Sequence, residues 1–197
     1  MIQLKDIDIS FEGKVIHKNF NLEIKQGTQL VISGESGRGK TTILKMMAGI
    51  QYPDRGTIIV NGIELSPETV EKIRQEIVWI PQNINLPVEN GKELIEMMQI
   101  SSNREIITQY LSQLNLNADI LTKSFSEVSG GEKQRIIIAV CLSLNGSIIL
   151  LDEPTAALDN SSKQALLDLI QSLQNKTIVS VSHDEFWINN TKNRLQL

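Results

Sequence analysis

A chain of 197 residues with 41% hydrophobic and 21% charged residues has the make-up of a folded globular protein, long enough for one large domain or a core with an inserted lobe. A net charge of −4 argues against a nucleic-acid partner, which needs a basic face, and one cysteine, Cys141, excludes an internal disulfide. The charged start Met1-Ile2-Gln3-Leu4-Lys5-Asp6 lacks the apolar stretch of a signal peptide, and no apolar run approaches the ~20 residues of a membrane span. The expectation is a cytosolic chain whose membrane role, if any, comes through a partner.

Taken in order, residues 1–33 alternate as strands do. Ile2, Leu4, Ile7 and Ile9 open the run, Glu12-Gly13 turns it, and Val15-Ile16 and Leu22-Glu23-Ile24 follow. This predicts an antiparallel β subdomain. Phe11 within it reads either as strand core or as a ring able to stack on a base. Gln29-Leu30-Val31-Ile32-Ser33 reads as a buried strand, and the next residues, Gly34-Glu35-Ser36-Gly37-Arg38-Gly39-Lys40-Thr41, lead into a helical pattern from Thr42 to Gly49. Strand, G-x-x-x-x-G-K-T, then helix is the arrangement of a phosphate-binding loop. Its glycines let successive N–H groups point inward, and the helix start adds positive potential for a polyphosphate. Lys40 supplies a mobile charge for the β- and γ-phosphates, and the Thr41 hydroxyl suits Mg²⁺.

Tyr52-Pro53-Asp54-Arg55-Gly56 is a turn, Thr57–Val60 a strand and Asn61-Gly62 a hairpin turn. A short helix over Glu68–Arg74 precedes a strand, Ile77–Ile80, that stops at Pro81-Gln82. Residues 83–128 change character: polar residues become common and Leu94, Met97, Met98, Ile106, Ile107, Tyr110, Leu111 and Leu114 recur at helical spacing. The segment reads as a small helical subdomain inserted between the core halves 1–82 and 129–197, with Met97 and Met98 in its packing. An apolar helix follows from Ser129 to about Leu144, carrying Cys141 as a buried, unreactive thiol. Ser147–Leu151 and Thr177–Val181 read as buried parallel strands, Ser161–Leu173 and Asp184–Asn190 as helices, and Arg194–Leu197 as an edge strand. The alternation predicts an α/β fold with a mostly parallel sheet.

Three further constellations carry chemistry. The strand Ile148–Leu151 delivers Asp152 and Glu153 to the sheet edge where ligands sit in open α/β folds. Asp152 suits Mg²⁺, directly or through water, and Glu153 suits orienting or deprotonating an attacking water. Ser129-x-x-Glu132 is a capping box, yet two glycines at its first helical positions, Gly130 and Gly131, cost helix stability and point to close approach of an anion. His183 follows a strand ending at the same edge; His17 has no such context and receives no role.

With these motifs in place the chain resembles the ATP-binding cassette ATPases of ABC transporters over its whole length. Val128-Ser129-Gly130-Gly131-Glu132-Lys133-Gln134-Arg135 is similar to the family signature, Gln82 to the glutamine loop, Ile148–Glu153 to the Walker B strand, Ala157-Leu158-Asp159 to the D-loop and His183 to the switch histidine. The resemblance implies a single ABC ATPase domain over 1–197 with a P-loop NTPase (RecA-like) core. It implies ATP and Mg²⁺ as cofactors, held by Gly34, Glu35, Ser36, Gly37, Arg38, Gly39, Lys40, Thr41 and Thr42, with Phe11 stacked on adenine. Metal contacts would come from Thr41, Gln82 and Asp152, and catalysis from Glu153, His183, Lys40 and Gln82. Ser129, Gly130, Gly131 and Asp159 would meet the nucleotide of a second cassette, so that two copies sandwich two ATP. A membrane permease docking on the helical subdomain is the implied partner, holding the chain at the inner face of the membrane. An ATPase acting on a soluble target such as an iron–sulfur scaffold is the alternative; a DNA-maintenance role is disfavoured because no long coiled coil separates the motif halves. The chain departs from the pattern at Val128, where leucine is usual, and at Arg38, which adds positive charge near the nucleotide or the dimer seam. No regulatory tail is expected beyond His183.

Overall fold

The computed structural model describes residues 1–82 and 86–197. At the amino end, β1 (Ile2–Phe11) and β2 (Lys14–Ile24) form an antiparallel pair, with β4 (Arg55–Val60) on the far side of β1 and β5 (Ile63–Glu64) beyond it. The inward set of β1 is Ile2 and Leu4, then Ile7 and Ile9, out of phase with each other. The shift is absorbed by irregularities: Asp6 and Asn19 take positive φ of 52° and 48°, and pairing passes from Leu4↔Leu22 to Ile7↔Phe20 to Ile9↔His17.

The second sheet runs in the order β6 (Ile77–Ile80), β7 (Ile148–Asp152), β8 (Thr177–Val181), β3 (Gln29–Ser33), β9 (Asn193–Gln196). The β7–β8, β8–β3 and β3–β9 pairs are parallel. Every residue of β7 and β8 is buried, as continuous apolar runs in a parallel sheet require, whereas β9 lies at the edge with only Leu195 half-buried. Helix α1 (Lys40–Met47) packs against β4 of the first sheet and against β7 and β8 of the second. Its Ile43, Leu44, Met46 and Met47 join Ile2, Leu4, Ile58, Ile148, Leu150 and Val181 in one core.

The chain divides into two units. The first comprises Met1–Trp79, Gly146–Pro154 and Asn175–Leu197, and includes α2 (Val70–Gln75) and α7 (Glu185–Asn190). The second comprises Ile80–Asn145 and Thr155–Gln174 and is helical: α3 (Gly91–Met97), α4 (Arg104–Gln113), α5 (Gly130–Leu142) and α6 (Asn160–Ser172), with 3-10 turns at Ser101–Asn103 and Ala118–Thr122. It therefore takes in α5 and α6 as well as the segment 83–128, of which Asn83, Ile84 and Asn85 lie outside the described residues. The reason is visible in α5, whose Ile136, Ile137, Ile138, Ala139 and Val140 are buried consecutively, so the helix is covered all round and packs on α3 and α4.

The expectation for Met97 is corrected. It is 46% exposed, and the buried stripe of α3 runs instead through Gly91, Leu94 and Ile95. Spacing of three and four continues to Met98, half-buried, and leaves Met97 on the open side. Cys141 is half-buried and its thiol is pushed up to about 12 by loss of solvation, so the expected unreactive thiol is found without full burial.

Leu150, two residues before Asp152 in β7, is fully buried in the core. Leu150→Ala is expected to cost about 2–5 kcal/mol, read as a lower urea midpoint; an unchanged midpoint would contradict the packing described.

Candidate functional site

Register decides what meets at the carboxyl edge of the parallel sheet. Ile32 of β3 and Asp152 of β7 both pair with Val181 of β8. Three strands thus end at one level, and the segments that follow them, Gly34–Gly39, Glu153 and Ser182-His183, leave side by side. The ladder extends past the strands through Glu153 N–H to Val181 O (2.9 Å) and Ser182 N–H to Ile32 O (3.2 Å).

The loop wraps the start of α1. Lys40, only 8% exposed, donates from Nζ to the carbonyls of Gly34 and Glu35, both at 2.9 Å, so the loop's own backbone holds its cation in place. The first turn of α1 itself contains no acidic residue, so its N–H groups and dipole favour an anion there. Arg38 pairs with Glu35 at 3.2 Å, both side chains well exposed. Gly39 is obligatory on two counts: its φ is +80°, and a Cβ there would lie 2.6 Å from His17 Nε2 and closer still to Ile16. β2 therefore lies directly under the loop.

Across the edge, Thr41 Oγ1 donates to Asp152 Oδ1 at 3.1 Å. Burial raises the Asp152 carboxyl above its usual range, and the Thr41 hydroxyl opposes this in part. Glu153, also buried, takes φ +49°, a left-handed conformation that costs a non-glycine residue about 1–2 kcal/mol. Its carboxylate accepts twice from His183: from Nδ1 at 2.9 Å and from the backbone N–H at 3.3 Å. Because Nδ1 faces a carboxylate it carries the proton, and the His183 side chain, 70% exposed, presents its remaining nitrogen outward.

The other sequence-predicted residues distribute as follows. Gly34 through Thr42, Asp152, Glu153 and His183 belong to the first unit, as does Phe11, 42% exposed at the end of β1. Gln82, Ser129, Gly130, Gly131 and Asp159 belong to the second. There Gln82 lines a cavity of about 150 Å³ with Gly130, Lys133, Gln134, Ile137 and Ala157. The capping box forms, Ser129 N–H donating to Glu132 Oε2 (2.8 Å) and Glu132 N–H to Ser129 Oγ (3.2 Å). The two glycines differ. A Cβ on Gly131 would meet Ala157 O at 2.7 Å, so packing within the unit explains it, whereas Gly130 faces open space. Asp159 caps α6, accepting from Ser162 N–H at 2.7 Å and Ser161 Oγ at 2.9 Å, and the Ser162 amide holds its carboxyl below the usual range.

Sequence reasoning missed His17. It is 8% exposed, its Nε2 lies 3.2 Å from Gly39 O, and its ring packs on Phe20. Alternation counted back from Ile24 places Lys18 inward; only the irregularity at Asn19 brings His17 to the inner face.

A strand, a glycine loop and a helix set beside two strand-end acids define a phosphate-loop nucleotide-binding α/β protein. The family model described as "ABC transporter" matches residues 17–156. The methionine import ATP-binding protein MetN of Clostridium acetobutylicum is 34% identical over 93% of this chain and 61% of its own length. The energy-coupling factor transporter ATP-binding protein EcfA1 of Mycoplasmopsis synoviae is 32% identical over 93% and 74%, and ABC transporter F family member 5 of Arabidopsis thaliana 32% over 99% and 27%. The chain thus spans about three fifths of MetN and about a quarter of the plant protein. A dimeric bacterial ABC transporter cassette matches with a TM-score of 0.90 at 29% identity, covering 100% of this chain and 94% of that one. A dimeric cassette in a post-hydrolysis state bound to ADP and Pi matches at 0.89 and 28%, with the same coverage. The chain belongs to the ABC transporter family. Among the described residues no helix is long and apolar enough to cross a membrane.

The raised Asp152 carboxyl makes a pH prediction. A buried acid whose folded value lies above its unfolded one binds its proton more tightly when folded, so its ionisation above that value costs stability. Asp152→Asn is expected to raise the melting temperature of the nucleotide-free protein at pH 7. The gain should shrink as pH falls through the raised folded value and vanish below the ordinary aspartate range; a melting temperature lower than wild type at pH 7 would refute it.

Proposed function

We propose that the chain is the ATP-hydrolysing subunit of an ABC transporter, pairing with a second cassette around two ATP and driving a separate membrane permease. The observation that carries the reading is the Glu153 carboxylate, buried, backbone-strained and held by two donors from His183 on the sheet edge that also bears Lys40. In this reading Lys40, Glu35, Ser36 and the loop amides through Thr42 bind the polyphosphate, and Phe11 packs on the adenine. The pair Thr41 and Asp152, both oxygen donors, fits a hard cation such as Mg²⁺, which would neutralise phosphate charge. Glu153 orients water and accepts its proton as the bond to the γ-phosphate forms and ADP leaves. His183 keeps Glu153 in place and, as the imidazolium with both ring nitrogens donating, reaches the phosphate from its second nitrogen.

Residues 83–128, inserted between 1–82 and 129–197, are proposed as the subdomain that receives the permease at the inner face of the membrane. Ser129 and the open Gly130, with Gly131 and Asp159, are proposed to close on the γ-phosphate of the second cassette. The dimeric cassettes among similar structures and the transporter names of the relatives support this reading.

Glu153→Gln retains shape but removes the base, so ATP turnover should fall at least about a hundredfold. Light scattering in saturating Mg-ATP should then report a dimer, against a mainly monomeric nucleotide-free wild type; turnover within tenfold of wild type would reject Glu153 as the base. Val88→Asp, on a half-buried residue of the docking segment, should preserve basal hydrolysis while stimulation by the permease is lost. Recovery of a soluble scaffold, and no multi-span protein, on pull-down from native membranes would favour the soluble-target alternative.

A further inference from the structure

We infer that His17 is a positioning residue for the phosphate loop, fixing the Gly39–Lys40 peptide so that the Lys40 N–H faces the bound polyphosphate. The inference rests on the ATP-binding reading above and adds a residue outside every motif that supports it. A carbonyl oxygen can only accept, so the 3.2 Å contact requires the proton on Nε2, in the neutral ring or the cation. Gly39 O already accepts from Ile43 N–H at 3.1 Å, the first bond of α1, and His17 occupies its second lone pair. In a planar trans peptide the C=O and the following N–H point in opposite directions. Pinning the carbonyl of Gly39 from the β2 side therefore turns the Lys40 N–H to the opposite side, among the donors at the start of α1.

Three observations separate this from a histidine that merely fills space. The ring is 8% exposed and directs a nitrogen, its costly polar atom, at the loop backbone. A Cβ on Gly39 would lie 2.6 Å from the His17 Nε2, and closer still to Ile16, so the ring packs directly against the glycine backbone. Phe20, with its centroid 5.0 Å away, supports the ring from the same strand. A leucine would fill the volume equally well and supply no donor.

The test uses the full chain and Mg-ATP. Long-range ¹⁵N NMR of the wild type should find hydrogen on Nε2 of His17; a bare Nε2 overturns the inference, independently of any variant. Calorimetry should give His17→Leu a Kd for Mg-ATP about five- to tenfold weaker than wild type, the loss expected for one hydrogen bond. His17→Gln, whose side-chain amide can donate, should recover most of that affinity. Leu and Gln variants that bind equally, whether both match wild type or both are weak, also overturn it. Lys40→Ala keeps this separate from the underlying reading: if Lys40→Ala binds Mg-ATP as tightly as wild type, the ATP site itself is wrongly assigned. If Lys40→Ala loses binding while His17→Leu retains it, only the role of His17 fails.

Discussion

The alignment of three parallel strands at Ile32, Val181 and Asp152 is the constraint on which the site depends. A parallel ladder leaves no freedom in where its strands end relative to one another once the register is set, and burial on both faces sets it. Slipping β7 by one residue would exchange the faces of Asp152 and its neighbours and withdraw the carboxylate from Thr41. The chemistry of the edge is therefore bought in the core: Leu150, Leu151, Val179 and Ile32 specify a pairing whose consequence appears only where the strands stop.

Past that edge the chain stops obeying the rules that built it. Asp152 is an acid kept in an environment that opposes its charge, and Glu153 is a bulky residue in a conformation suited to glycine. The loop cation is occupied by the carbonyls of Gly34 and Glu35 rather than by a carboxylate. The two acids cost stability where they stand, the pattern of residues retained for what they touch rather than what they support. The surrounding sheet, apolar and continuous, absorbs the cost.

Much of this was legible in the sequence because the decisive elements are local. Gly34–Thr41 and Ser129–Glu132 carry their geometry within eight residues or fewer, and the strands Ile77–Ile80 and Thr177–Val181 are bounded by their own apolar runs. Non-local geometry was not legible. His17 reaches the loop only because an irregularity near Asn19 shifts the phase of β2, which residue alternation does not announce. The positive φ of Glu153 is imposed by the turn out of β7 and has no residue signature. The packing of Gly131 was not legible either: the carbonyl of Ala157, distant in sequence, lies where its Cβ would be. The grouping of α5 with the helical unit likewise depends on all-round burial, which a nearly unbroken apolar stretch does not resolve into faces.

The setting of Cys141 has a practical consequence. With the thiol displaced to about 12, its thiolate is scarce at neutral pH, and the chain holds no other cysteine. The native protein is thus close to silent toward thiol-directed probes without any substitution in α5. A cysteine introduced singly at an exposed position of either unit would be the dominant reactive sulfur, so a spectroscopic label can be placed at a chosen point while the sheet edge stays untouched.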